Sequence, residues 1–186
     1  SLAVYCPLDY YTGDKKDIDD YEMKIGRSGN VVSLIRTLFL KRFESSVSAF
    51  ETSCDRIMQK LLAFQQKHCE TVEEKSQLQN WMDRHDKLLD YISTKQHELW
   101  GEEDDDEVEP FPSELLDSWE YLDRENYRVA DIIQETFNDL DELAVFLEET
   151  KKFKPENDDK LNKLIRMLNT KKFVDKKVII FTEFAD

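Results

Sequence analysis

Glycine, proline, cysteine and histidine are all scarce in this 186-residue chain, at four, four, three and three residues. So little Gly and Pro excludes collagen-like and Pro/Gly-rich disordered classes and leaves few sharp turns between elements. Cys6, Cys54 and Cys69 are odd in number and show no CxxC spacing, which argues against a disulfide framework or a zinc site. They read as reduced thiols of a cytoplasmic protein. His68, His85 and His97 lie too far apart in helical phase to form a ligand set, so no metal is expected. No signal-peptide pattern is read, and no apolar run approaches the ~20 residues that span a bilayer, so no membrane partner is expected. Positive charge is also short: 26 basic against 41 acidic residues give a net charge of −15. The average surface therefore repels nucleic acid and anionic membranes, and any such contact must come from a local cluster.

What is present favours helix. Charged residues make up 36% of the chain, and Val31 to Cys69 contains neither Gly nor Pro. Within it Val32, Ile35, Phe39, Phe43, Val47, Phe50, Cys54, Ile57, Leu61 and Phe64 recur in steps of three and four, the period of one helical face sustained over roughly 50 Å. Such a stripe has to pack against a partner element. Its first third carries a second feature. Arg27, Arg36, Lys41 and Arg42 fall in a span with no acidic residue before Glu44.

Read in order, residues 1–30 form an irregular N-terminal segment in which Ala3-Val4-Tyr5-Cys6 suggests a short strand stopped by Pro7, followed by the polar loop TGDKKDIDD. Ser28 or Asn30 caps a first helix over 31–68. Thr71-Val72-Glu73-Glu74 matches a capping box and starts a second helix over 72–100, folded back on the first. Its stripe includes Trp81, and His85 sits on it as a packed residue rather than a metal ligand; Trp81, Trp100 and Trp119 read as core. Residues 101–112, with the acidic run EEDDDEVE and two prolines, form an extended linker, and a third helix covers 113–152. A shorter helix follows over 158–170, and Val178-Ile179-Ile180-Phe181 reads as a buried strand near 177–182. The expected fold class is mainly α: a long-helix bundle or coiled-coil-like arm over 31–153, then a short helix and one strand over 154–186 that begin a truncated α/β lobe. Charge divides the same way. Residues 70–149 hold 26 acidic against 6 basic side chains, and residues 150–186 hold 6 against 10.

Three segments carry a resemblance. Asp158 to Asp186, DDKLNKLIRMLNTKKFVDKKVIIFTEFAD, is similar to the entry into the second RecA-like lobe of Snf2-type superfamily 2 helicases and translocases. The matching residues are Asp159, Lys160, Leu161, Leu164 and Leu168, then Lys177, Val178, Ile179, Ile180, Phe181, Thr182 and Phe184. Leu34 to Phe50, LIRTLFLKRFESSVSAF, resembles the segment that bacterial Snf2-like proteins carry between their two lobes, and Tyr5 to Tyr11, YCPLDYY, is similar to the short segment before it. Thr71 to Lys152 matches only as a helical insertion. The resemblance implies an inter-lobe piece of an ATP-dependent, DNA-dependent helicase or translocase. ATP and Mg are expected for the parent and no cofactor in this chain, which lacks a GxxxxGK[ST] loop and a DEAH-like motif and is expected not to hydrolyse ATP. Lys160, Thr182 and Phe184 would belong to the lobe-two motif.

Arg36, Lys41 and Arg42 then have two readings. They are a solvated helix face pairing with acidic residues, or they meet nucleic-acid phosphate or the ATPase lobes. The Ser45-Ser46 pair in mid-helix suggests close packing against another element. Two function classes follow: a helical insertion coupling the two RecA-like lobes to DNA or a partner, or a free-standing helical interaction module with no ATP link. The orphan strand also suggests pairing with Ala3 to Cys6, or between two copies as an artificial dimer.

Overall fold

A computed structural model describes residues 1–100, 120–154, 156, 158–173 and 176–181. The architecture is mainly helical, with six α-helices and no strand among the described residues. Helices α1 (Tyr21–Ser45) and α2 (Val47–His68) form a hairpin, α3 (Val72–Arg84) and α4 (Asp86–Trp100) follow, and α5 (Val129–Thr150) and α6 (Asp159–Leu168) complete the set.

Helix α2 is the centre. Its buried residues, from Ala49 and Phe50 through Cys54, Met58, Leu61, Leu62 and Phe64 to His68, cover most of its circumference. The helix is thus enclosed on most sides, with Glu51, Ser53, Asp55 and Gln65 buried beside its apolar residues. Helix α5 is its main partner, contributing Val129, Ile132, Ile133, Phe137, Leu140, Ala144 and Leu147. The two run antiparallel, since Phe50 meets Phe146 at one end and Gln65 Nε2 donates to the Ile133 carbonyl at 2.8 Å at the other. Trp81 of α3 is buried, with its indole N–H donating to Asp141 Oδ1 at 2.7 Å, so its expected core role holds and its one polar atom is satisfied.

The single long helix expected over 31–68 begins earlier and breaks. It starts at Tyr21, so Gly26, Gly29 and Asn30 lie within a helix turn rather than before one. At Ser46 the backbone is extended, φ −158 and ψ 156, and its hydroxyl accepts the Ala49 N–H at 3.0 Å. Ser46 therefore caps α2 and reverses the chain, bringing Phe39 and Phe43 edge-on to Phe50 at 5.8 and 5.2 Å. The Ser pair, expected in mid-helix and packed closely against another element, marks a corner between two helices instead. The second helix likewise breaks at His85, φ −112, between α3 and α4, while its Thr71–Glu74 capping box forms as the motif predicts.

The single helix expected over 113–152 is not continuous: 120–128 are not helical, a helix runs over Val129–Thr150, and residues 101–119 lie outside those described. The cause is local. Asp123 Oδ1 accepts the Glu125 amide at 2.9 Å and Oδ2 accepts from Asn126 Nδ2 at 2.8 Å, which holds a turn instead of a helix. Tyr127 then bridges Tyr11, with Thr12 N donating to Asn126 O and Arg128 N to Tyr10 O. The strand expected at Ala3 to Cys6 is a 3-10 turn, Ala3–Tyr5, whose Ala3 and Val4 are buried against the bundle. Neither that segment nor 177–181 forms a strand. Residues 177–181 have no regular structure, with Ile179 78% and Phe181 91% exposed, and Thr182 lies outside the described residues.

Candidate functional site

Helix α1 divides its residues among three directions. Ile25, Ser28, Val32, Ile35, Phe39 and Arg42 turn inward, although only Val32 is fully buried. Arg27, Val31, Leu34, Leu38 and Lys41 form an outer stripe in which Leu34 is 58% exposed. Arg36, Leu40 and Phe43 form a third line on the lip of an open groove of about 530 Å³ between α1 and α5. Phe39, Phe50, Ile57, Leu143 and Phe146 also line this groove, and Phe50 lies among the rings of Phe39, Phe43 and Phe146 at 5.2 to 6.0 Å. Its volume is in the range of a ligand or side-chain seat.

The three basic residues singled out from the sequence are therefore not one face. At about 100° per residue, Arg36 and Lys41 lie about 140° apart and Arg42 is about 100° further round. Arg36 is exposed on the groove lip and Lys41 is exposed on the outer stripe. Arg42 is half-buried, its guanidinium Nη1 donating across the α1–α2 corner to the Ala49 carbonyl at 3.5 Å. Lys160 Nζ donates to the carbonyl of Glu44, which fastens the start of α6 to the end of α1. Thr182 and Phe184 lie outside the described residues, as does the acidic run 102–109.

The opposite wall of the groove carries two carboxylates of α5, Asp139 and Glu142. Asp139 is buried and engaged: its Oδ1 lies 2.5 Å from the Ser1 amino group, and its Oδ2 accepts the Leu2 N–H at 2.6 Å and the Ser1 hydroxyl at 3.2 Å. Glu142 stands exposed beside the apolar floor.

A second polar centre, which the sequence did not single out, closes the far end of the bundle. Arg124 reaches Glu74 with two parallel bonds, Nη1 to Oε1 at 3.1 Å and Nη2 to Oε2 at 2.7 Å, and Nη2 also donates to the His68 carbonyl at 2.8 Å. Glu70 Oε2 lies 3.1 Å from Nε and Tyr121 donates to Glu70 Oε1 at 2.7 Å. Burial opposes ionisation of Glu74, but the Arg124 bond and the amides of Thr71 and Glu70 outweigh it and hold the carboxyl below its usual value. Buried His68 stacks on Phe64 at 4.1 Å, and its Nδ1 faces the Phe64 carbonyl at 2.9 Å. Nε2 faces both the Glu120 carbonyl at 3.2 Å and the Leu122 N–H at 3.3 Å, and since that N–H can only donate, the neutral ring carries its proton on Nδ1 and accepts at Nε2. Burial lowers the His68 pKa, with the Phe64 and Glu120 carbonyls pulling the other way. The centre is a clamp that fastens the non-helical segment to the α2–α3 corner. Its signal in the sequence was Arg124, one of three arginines in the acidic stretch 70–149.

Burial pushes the Cys54 and Cys69 thiols up to about 12, which makes both inert as nucleophiles. Among the described residues no group of three His, Cys, Asp or Glu side chains is placed to hold a metal ion, and no helix is long and apolar enough to cross a membrane. No family model, curated protein or solved structure matches the chain.

Proposed function

We propose that the chain is the helical coupling region between the two RecA-like lobes of a Snf2-type, DNA-dependent ATPase, with α6 and residues 176–181 at the entry to the second lobe. The observation that carries the reading is the exposure of the run Val178 to Phe181: four apolar side chains in sequence, uncovered in this structure, call for neighbouring strands or helices to bury them. The order of the three resembling segments supports it, because Tyr5 to Tyr11, Leu34 to Phe50 and Asp158 to Asp186 follow one another as they do in that family. On this reading α2, α3, α4 and α5 are a rigid platform, and α1 presents Arg36 and Lys41 to DNA phosphate or to the lobes. The chain supplies no phosphate loop, so ATP and Mg would be held by the lobes of the parent.

The bundle as a free-standing interaction module is the second reading, favoured by the outer apolar stripe Val31, Leu34 and Leu38. One assay separates the two. ATP hydrolysis by the parent protein is measured with and without duplex DNA; stimulation by duplex supports the coupling role, and a parent without ATPase activity overturns it.

A further inference from the structure

We infer that the groove between α1 and α5 is the seat of an amphipathic helix from a partner protein, its apolar face flanked by acidic side chains on one side and basic side chains on the other. The floor, with Phe39, Phe50, Ile57 and Leu143, encloses about 530 Å³, within the range of a ligand seat. The apolar surface does not stop there, because Leu40, Phe43 and Phe146 on the rim are 66%, 59% and 51% exposed. A small molecule filling the cavity would leave them wet, whereas a protein segment broad enough to cover the rim buries floor and rim together. Both walls are helices whose backbone N–H and C=O groups are spent internally, so an extended segment laid here would find no backbone partners. A helix brings its own. From Ile35 to Phe43 the α1 wall runs about 12 Å, just over two turns, which seats anchors at i, i+4 and i+7.

Charge sets the flanks. Arg36 on the α1 wall and Glu142 on the α5 wall are exposed, and among the described residues neither has a hydrogen bond or ion pair. Asp139 is already engaged by Ser1 and Leu2. With anchors at i, i+4 and i+7, positions i+1 and i+8 lie about 70–95° to one side of the apolar face, and i+3 and i+10 lie about as far to the other. These positions meet the two walls. Acidic residues on one flank then face Arg36 and basic residues on the other face Glu142; exchanging the flanks only reverses the direction of the helix in the groove. The chain's own exposed apolar faces do not meet this description. That of α1 contains Arg27 and Lys41, and on α6 the bordering Asp158 and Lys160 are engaged by the Leu161 N–H and the Glu44 carbonyl. Arg36 also figures in the DNA reading, but Glu142 and Leu40 do not, so variants of these two keep the outcomes apart.

The probes are three labelled peptides of about 18 residues, long enough to form a helix, with leucine at the same anchors. One carries glutamate at i+1 and i+8 and lysine at i+3 and i+10, the second glutamate at all four, the third lysine at all four. Binding to the full chain is read by fluorescence anisotropy at roughly 0.15 M salt, where long-range attraction to the net charge is screened. The mixed peptide should bind about three-fold or more tighter than either of the others. Glu142→Lys should move the preference to the all-glutamate peptide. Leu40→Asp should weaken the mixed peptide about ten-fold, while Leu34→Asp, on the outer stripe of α1, leaves it unchanged. Leu34, Leu40 and Glu142 are all exposed, so the variants spare the core. No binding of the mixed peptide overturns the inference, as do equal binding of all three and a preference indifferent to Glu142→Lys. So does a dimer in sedimentation that Leu40→Asp dissociates, which would make a second copy the occupant.

Discussion

Arg124 Nη2 lies 2.8 Å from the carbonyl of His68, a residue 56 positions earlier and the last of α2. The same guanidinium makes a fork with Glu74 in the first turn of α3. One side chain thus satisfies a helix-end carbonyl and compensates the carboxylate of the neighbouring capping box. The charged side chains of Glu74 and Arg124 are only partly exposed, at 14% and 29%, so the bonds are screened less than a surface pair.

Arg124→Lys should therefore not behave as a conservative change. An ammonium cannot reproduce the planar fork and reach the His68 carbonyl as well. The loss should be about 1–3 kcal/mol, read as a lower urea midpoint with an unchanged slope. A midpoint within error of the native protein would show that the clamp contributes nothing.

His68 makes the clamp sensitive to acid. Its folded pKa is lowered by burial, so the unfolded chain binds the proton more readily, beginning near the ordinary value of 6.5. Stability is then full above that value and falls as pH drops through it towards the folded pKa. Protonation also turns Nε2 into a donor towards the Glu120 carbonyl and deprives the Leu122 amide of its acceptor. His68→Gln should destabilise the protein at pH 8 yet flatten the decline in urea midpoint between pH 7.5 and 5.5. An equally steep decline in both proteins would assign the acid sensitivity elsewhere.

The helical class, the Thr71–Glu74 capping box and the core role of Trp81 were legible because each is local: periodicity and caps act within a few residues. The corner at Ser46 was not, because the apolar period passes through it unbroken and the Ser pair reads equally as close packing against another element. Packing decides it, since reversal lets Phe39 and Phe43 join Phe50. The segment 120–128 was misread for a similar reason. Its apolar spacing suits a helix, but the Asp123 carboxylate holds a local turn with Glu125 and Asn126, and the Tyr11–Tyr127 bridge depends on a partner distant in sequence. The division of Arg36, Lys41 and Arg42 among three directions was legible in their spacing alone, at 100° per residue.

Ser46→Ala tests the corner. Removal of the cap should cost about 0.5–2 kcal/mol if α1 and α2 form a hairpin. If the two ran on as one helix, Ala would be the better helix former and stability would rise. Urea denaturation monitored by far-UV circular dichroism reads the sign directly.

Thiol reactivity tests the burial of α2. Cys54 and Cys69 are buried with thiols raised to about 12, while Cys6 is half-exposed and raised by burial and by Asp9. A disulfide-exchange reagent at pH 8 should titrate one thiol slowly in the folded chain and three rapidly in denaturant. Two or more fast thiols under native conditions would mean that α2 is not the enclosed centre of the bundle.

The basic side chains of α1 yield the sharpest test of the proposed role, because their different surroundings call for different outcomes. Arg36 is exposed, so Arg36→Glu should leave the urea midpoint of the chain within about 0.5 kcal/mol of native, and the midpoint of Lys41→Glu is measured beside it. Arg42 is half-buried and bonded across the corner, so Arg42→Glu should lower stability in its own right and cannot be read as a DNA effect alone. In the parent protein, each of the two exposed residues that meets a phosphate should, when reversed, weaken duplex affinity and reduce the slope of log affinity against log salt by about 0.9. The loss should shrink as salt rises, because the released counterions are what the contact contributes. Unchanged affinity and slope for both variants at low salt would return Arg36 and Lys41 to ordinary surface charges.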